Sequence, residues 1–296
     1  MKKLIALTLV LVSVLAMFAG CGKKKETLKV AISPDFAPME FVDPSKSGQD
    51  QYVGFDVSLA KYIADELGME LEIVPLDFFA CQTAVSSGRV DMSISGYSWS
   101  EERAENYNLS DYYYAGENET EQVLITLASN GKIYKDAASI EGLKVGAQSA
   151  SLQEGLCKAQ LPNAELVTFL NIGTGIMQLK KGDFDVMAVA IGNANAIIAE
   201  NPELAMSGFQ FEVSEAEENN LILLAKGDDE MTEKVNEILA KALAAGYYET
   251  WYEEAMNTAG VEISYDAEGN PITDEPSADD TANSGEDSVA ADTAGE

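Results

Sequence analysis

The chain predicts an α/β fold of two lobes with mostly parallel sheets, and three observations carry that expectation. Apolar alternation of period two gives way repeatedly to apolar spacing of three and four, the pattern between Leu28 and Ser95 reads βαβαβ, and the same grammar restarts after Tyr114. Leu28, Val30 and Ile32 alternate as in a strand. Asp56 is placed to cap a helix whose apolar positions Leu59, Ile63 and Leu67 recur at helical spacing until Gly68 stops it. Met69, Leu71 and Ile73 read as the next strand, residues 79–87 as a helix stopped by Gly88, and residues 90–95 as a strand.

In the second half, strands are expected at 122–127, 143–147, 166–170 and 185–189, with helices near 151–158 and at 172–181. Gly88-Arg89-Val90-Asp91 and Gly182-Asp183-Phe184-Asp185 both set an aspartate three residues after a helix-stopping glycine and open an apolar strand, which supports related architectures for the two lobes. Residues 209–213 and 221–225 read as late strands. Residues 230–244 read as an amphipathic helix, with Val235, Ile238, Leu239 and Leu243 on one side and Gly246 at its end. The expected first lobe takes 28–115 plus 222–260, and the second takes 116–221.

Both ends of the chain differ from this pattern. Lys2 and Lys3 precede an apolar run from Leu4 to Phe18 that ends in Ala19, Gly20 and Cys21. The run is shorter than the roughly 20 residues of a permanent span, so residues 1–20 are expected to be a signal peptide. Phe18-Ala19-Gly20-Cys21 resembles the bacterial lipobox, which implies that Cys21 becomes a lipidated N-terminus on the outer face of the cell membrane, with 21–27 as a tether. An ordinary secretory signal followed by a chance cysteine is the alternative. From Ile263 onward no Lys or Arg occurs among Asp, Glu, Ser, Ala, Gly, Pro and Thr, so an acidic tail over 261–296 is expected to remain disordered.

Composition narrows the chemistry. A net charge of −31 over 296 residues argues against nucleic acid and against electrostatic attachment to anionic lipid. With no histidine and no Cys-x-x-Cys pair, the usual zinc spacings and every imidazole-dependent triad are excluded, and no metal or cofactor is expected. Cys81 and Cys157 fall in different lobes, where a disulfide would oppose relative motion, so two free thiols are expected.

Several stretches then occur in an order and at separations that resemble a known family. They are Ser33-Pro34-Asp35-Phe36-Ala37-Pro38-Met39-Glu40-Phe41, Val53-Gly54-Phe55-Asp56-Val57-Ser58-Leu59-Ala60, Ser87-Gly88-Arg89-Val90-Asp91, Ser95-Gly96-Tyr97-Ser98-Trp99-Ser100-Glu101-Glu102-Arg103 and Ser110-Asp111-Tyr112-Tyr113. From Leu28 to about Tyr252 the chain resembles bacterial extracellular solute-binding proteins of the polar amino-acid ABC transporter family, family 3, with a periplasmic-binding-protein-like type II fold. The resemblance implies two lobes joined by two crossovers, here near 116–122 and 214–221, a small carboxylate-bearing ligand such as an amino acid in the cleft, and an ABC permease as partner. A monomeric, non-enzymatic binding protein is expected.

The resemblance also implies site residues. Arg103 would clamp the ligand carboxylate with its planar fork of donors, helped by Ser98; pairing with Glu102 or Asp111 is its alternative. Ser95 and Gly96 end a parallel strand, where open α/β sheets bind ligands, and the Gly96 carbonyl would face an ammonium group. Ser151, in the turn Val145-Gly146-Ala147-Gln148-Ser149-Ala150-Ser151, would complete the carboxylate site from the other lobe, unless it only caps its helix. Phe36 and Phe78 match aromatic walls for the ligand side chain, with Tyr97 nearby and Trp99 in apolar core. Ser33 and Asp35 are the side-chain contacts to weigh, Asp35 against simple exposure. Three positions depart from the family: Ala190 where an aspartate usually meets the ligand's ammonium, Ala150 where glycine is usual, and Met39 at a usually aromatic position. Asp35 or Asn193 could compensate at the first. A dehydratase-like enzyme on the same fold is the rival reading, with Glu40, Asp35 or Glu217 as formal acids.

Overall fold

From the amino end, β1 (Thr27–Ile32) leads into a small antiparallel sheet of β2 (Asp35–Phe36), β3 (Glu40–Val42) and β4 (Tyr52–Val53). There follow α1 (Phe55–Leu67), β5 (Glu70–Pro75), α2 (Phe78–Ser86), β6 (Met92–Ser98), α3 (Glu101–Asn106) and β7 (Asn108–Leu109). The chain then crosses into β8 (Gln122–Leu127), α4 (Ala137–Ile140), β9 (Lys144–Gln148), α5 (Leu152–Gln160), β10 (Glu165–Phe169), α6 (Ile172–Lys181), β11 (Val186–Ala190), α7 (Ile191–Glu200) and β12 (Leu204–Gln210). It returns in β13 (Asn220–Leu224) and closes with α8 (Asp229–Ala244) and α9 (Tyr247–Ala259). This computed structural model describes residues 25–114, 121–130 and 134–260, and the backbone of a separate two-strand pair at 264–265 and 271–272. The expected signal peptide, Cys21, most of the expected first crossover and nearly all of the acidic tail lie outside the described residues.

Two five-stranded sheets organise the chain, in the orders β5-β1-β6-β13-β7 and β10-β9-β11-β8-β12. In each, three strands pair in parallel and the fourth position is antiparallel to both its neighbours. The antiparallel strands are the two that follow crossovers, β13 in the first sheet and β8 in the second. The expectation of two α/β lobes with mostly parallel sheets holds.

The paired glycine-aspartate motifs do identical work in the two sheets. Asp91 accepts from the Lys29 amide at 2.7 Å and returns its own amide to the Lys29 carbonyl at 3.0 Å. Asp185 does the same to Lys144, at 2.9 Å in both directions. Each aspartate thus fixes the start of a sheet's central parallel pair.

Core packing explains most elements and the differences from expectation. The second sheet is covered on both faces, by clusters around Phe169, Phe184, Met187 and Ile197 and around Leu124, Val145, Leu156 and Phe211. The first packs Ala31, Cys81, Val85, Tyr97 and Leu223 under α2. The expected late strand at 209–213 begins earlier, at Leu204, because Leu204, Ala205 and Met206 pair with β8 and bury Leu204. Helix α7 was not evident in a stretch that opens with Gly192, Asn193 and Asn195, all poor helix formers. Nor was α9, which begins directly after Gly246; its Tyr248, Trp251 and Tyr252 join Phe55, Tyr62 and Tyr114 in one aromatic cluster. Cys81 and Cys157 are buried free thiols, and burial raises each to about 12.

Helix α1 corrects one local expectation. Its N-cap is Gly54 rather than Asp56, and the first amides are capped by backbone: Phe55 N–H donates to the Pro38 carbonyl at 3.1 Å and Asp56 N–H to the Met39 carbonyl at 2.8 Å. Gly54 has φ 119°, and a Cβ there would lie 2.3 Å from the Met39 carbonyl oxygen. Asp56 is thereby freed for other partners. Gly54→Ala is expected to destabilise the protein by about 3 kcal/mol, read as a lowered urea midpoint with unchanged slope.

Candidate functional site

Strand ends from both sheets converge on one cleft. The parallel strands contribute their carboxyl ends: Ser33 follows β1, Ser95, Gly96 and Ser98 end β6, Gln148 ends β9, and Ala188 to Ala190 end β11. Because β8 and β13 run the other way, their first residues, Gln122 opposite Ala190 and Asn220 opposite Ser98, reach the same place. Helix starts complete the wall at Phe78, at Ser151 to Gln153, and at Ile172 and Asn193.

Arg103 enters from the first turn of α3, whose N-cap Ser100 accepts from the Arg103 amide. It is 6% exposed and lies over the rings of Tyr97 and Phe78, at 5.4 and 5.8 Å from their centroids. Nη1 donates to the Ser98 carbonyl at 2.6 Å and Nη2 to the Ala150 carbonyl at 2.8 Å. Burial lowers its pKa below the ordinary 12.5, yet a guanidinium remains protonated in proteins. Among the described residues it forms no ion pair, so neither Glu102 nor Asp111 neutralises it.

The other predicted site residues divide by position. Ser33, Asp35, Phe36, Phe78, Ser95, Gly96, Ser98, Arg103 and Ser151 all line the cleft. Tyr97 does not: the strand alternation turns it inward, where it is fully buried, lies with its ring 4.9 Å from that of Phe78 and tilted by 35°, and shares a 2.9 Å hydrogen bond with Ser93 Oγ. It supports Arg103 and Phe78 from beneath. Trp99 is 38% exposed rather than core, because the chain leaves the sheet after Ser98. The Ser151 hydroxyl caps α5, accepting from the Glu154 amide at 3.1 Å and donating to the Gln148 carbonyl at 2.7 Å. Leu152 and Gln153 of the first turn of α5 line the cleft beside it. Gly96 is required twice over, by φ 56° and by the Phe36 ring, which a Cβ would meet at 3.0 Å.

Contacts between the two sheets' elements bridge this cleft. Asp35 Oδ2 accepts from the Ile172 amide at 2.6 Å, at the start of α6, while its Oδ1 accepts from Ser33 Oγ at 3.0 Å. Burial raises the Asp35 pKa, against the lowering effect of these bonds. The Ala150 carbonyl receives both Arg103 Nη2 and Gln82 Nε2, the latter at 3.3 Å. Asp35 is therefore committed to bridging rather than exposed.

Beneath the cleft lies a feature that sequence reasoning missed, a pair of fully buried acids. Asp56 Oδ2 accepts from the Gly96 amide at 2.9 Å and from the Tyr113 hydroxyl at 3.0 Å. Glu40 Oε1 accepts from Ser95 Oγ, which itself accepts from the Ser33 amide at 3.0 Å. Burial first, then the neighbouring Asp56, push Glu40 well above its ordinary 4.5; burial pushes Asp56 to about 7. Glu40 Oε2 and Asp56 Oδ1 have no other hydrogen-bond partner, which a shared proton resolves. Both acids sit inside the quoted family stretches, but nothing in their spacing shows that they meet.

A two-lobed α/β body with a buried arginine and helix starts facing one cleft defines a binding protein for a small anion-bearing molecule. The model of bacterial extracellular solute-binding proteins, family 3, matches residues 28–258, and the chain belongs to that family. It is 30% identical over 213 residues to a probable histidine-binding protein of Campylobacter jejuni, covering 69% of this chain and 79% of the relative. It is 31% identical over 220 residues to the arginine-binding extracellular protein ArtP of Bacillus subtilis, covering 74% and 80%. A solved amino acid ABC transporter substrate-binding protein from Streptococcus pneumoniae, AbpA, bound to L-arginine, superposes with a TM-score of 0.71 at 34% identity, covering 80% of this chain and 96% of that one.

Two outcomes follow from the site. The folded pair holds its protons to higher pH than the unfolded chain, whose carboxyls titrate near 3.8 and 4.5. Unfolding therefore releases protons between those values and about 7, and the pair favours the fold as pH falls through that window and loses the contribution as pH rises past it. The unliganded melting temperature is expected to drop from pH 5 to pH 7, and Asp56→Asn to reduce that drop. Ala150 adopts φ 61°, so Ala150→Gly is expected to stabilise the protein by about 1 kcal/mol in denaturant titration.

Proposed function

We propose that the chain is the substrate-binding lipoprotein of an ABC importer and holds an amino acid by its carboxylate and its side chain between two closing lobes. The observation that carries this reading is Arg103, a buried guanidinium with no ion pair among the described residues, set in a cleft beside the first turn of α5. A buried charge without a counter-charge is costly, and a ligand carboxylate supplies one. The leading amides of α5, which have no acceptor within their own helix, add donors from the opposite side.

The side chain would lie against Phe36 and Phe78. Relatives named for arginine and histidine, and the solved relative bound to L-arginine, support a cationic or planar group there, and aromatic faces suit both. Glu40 and Asp35 are the acids lining that cleft. Glu217, one of the formal acids, is engaged in its own turn, accepting from the Ser214 amide and hydroxyl.

Closure follows from contacts already described. The bonds from Arg103 and Gln82 to the Ala150 carbonyl, and from Ile172 to Asp35, exist only when the two sheets' elements meet. A ligand touching both sides shifts the open and closed populations by its preference for the closed one, through crossovers at 116–122 and 214–221. The closed form would be what the permease recognises, with the lipid on Cys21 keeping a monomer at the membrane's outer face.

Calorimetry with L-arginine and agmatine, the same molecule without its carboxylate, tests the clamp. L-arginine is expected to bind at least about 100-fold more tightly than agmatine, and Arg103→Lys to weaken L-arginine by about 100-fold, since an ammonium cannot reproduce the fork. Equal binding of the two compounds would remove the carboxylate from the account, and silence across the common amino acids would remove the function.

A further inference from the structure

The wall of the cleft contributed by the second sheet carries no carboxylate. Its described members are polar but neutral, Gln122, Gln148, Ser151 and Asn193, or apolar, such as Val189 and Ala190. Both acids of the cleft, Asp35 and Glu40, come from the other side. Asp35 already receives the Ile172 amide, and Glu40 already receives Ser95.

Within that neutral wall, Asn193 stands apart. It sits in the first turn of α7, is 3% exposed, and its Oδ1 is buried with no hydrogen-bond partner. An unpaired buried carbonyl oxygen costs about 1–3 kcal/mol, and such groups in native proteins are nearly always satisfied. Among the described residues no protein group supplies the donor, and Asn193 lines the space where a ligand would lie. The N-cap of α7, Ala190, has a side chain unable to accept a hydrogen bond, so it cannot take a ligand donor in place of Asn193.

We propose that Asn193 is a specificity-determining residue whose side-chain oxygen accepts a hydrogen bond from the ligand's α-amino group. The inference rests on the amino-acid reading above. Its physical consequence concerns selectivity. An amide oxygen accepts from charged and neutral donors alike and gains less from the donor's charge than a carboxylate does. The partially positive start of α7 further disfavours a cation at this end of the cleft. The protein should therefore discriminate only weakly between an amino acid and the isosteric 2-hydroxy acid, in which a neutral hydroxyl donor replaces the ammonium.

The test is calorimetry with L-arginine and its 2-hydroxy analogue on the wild type, Asn193→Ala and Asn193→Asp, with melting curves of each unliganded variant to establish folding. The wild type is expected to bind the two within about tenfold of each other, and Asn193→Ala to weaken both by about tenfold. Asn193→Asp, nearly the same size, is expected to strengthen L-arginine and weaken the hydroxy acid, moving their ratio by at least about 100-fold. If L-arginine binds but both Asn193 variants leave the two affinities unchanged, or the wild type prefers L-arginine by more than about 100-fold, the role of Asn193 is wrong and the amino-acid reading stands. If neither compound binds, both fall.

Discussion

The floor of the cleft depends on two buried acids, Glu40 and Asp56. Asp56 draws in the Gly96 amide and the Tyr113 hydroxyl, and Glu40 draws in Ser95, which holds the Ser33 amide. These four bonds tie the ends of β1 and β6 to β3, to α1 and to the segment after β7. Burying two neighbouring carboxyls is tolerable because one proton between them removes the like-charge repulsion and fills both unpaired oxygens. The arrangement gives Gly96 its left-handed conformation and seats Phe36 directly against it.

From that floor the rest of the site follows by topology. Each sheet receives one strand that arrives from the other half of the chain and runs antiparallel, β8 in one and β13 in the other. Their starts therefore lie among the carboxyl ends of the parallel strands. Matching aspartates, Asp91 and Asp185, hold equivalent strand starts in the two halves, so each half is braced before it meets the other.

Periodic patterns made the sheets legible, because alternation and helical spacing report which face is buried. The glycine-aspartate repeat in the sequence even located one hydrogen-bonding device shared by the two halves. Arg103, Phe36, Phe78, Gly96 and the serines were reachable from the family motifs. Tyr97 was misassigned because proximity in sequence hides which way a strand residue points. The acid pair, the bridge from Asp35 to Ile172 and the unpaired oxygen of Asn193 join residues 16 to 137 positions apart or concern a missing partner, and no local pattern encodes either. Helix α9 was legible in principle, since Tyr247, Tyr248, Trp251 and Tyr252 recur at helical spacing, but its start immediately after Gly246 masked it.

The central claim is that a buried arginine awaits a ligand carboxylate while two aromatic rings hold the other end. A crystal structure of the mature protein with L-arginine tests it most directly. The account predicts the carboxylate on Arg103 and the first turn of α5, with the side chain against Phe36 and Phe78. Density for the carboxylate elsewhere, with Arg103 still bonded only to the Ser98 and Ala150 carbonyls, would contradict it.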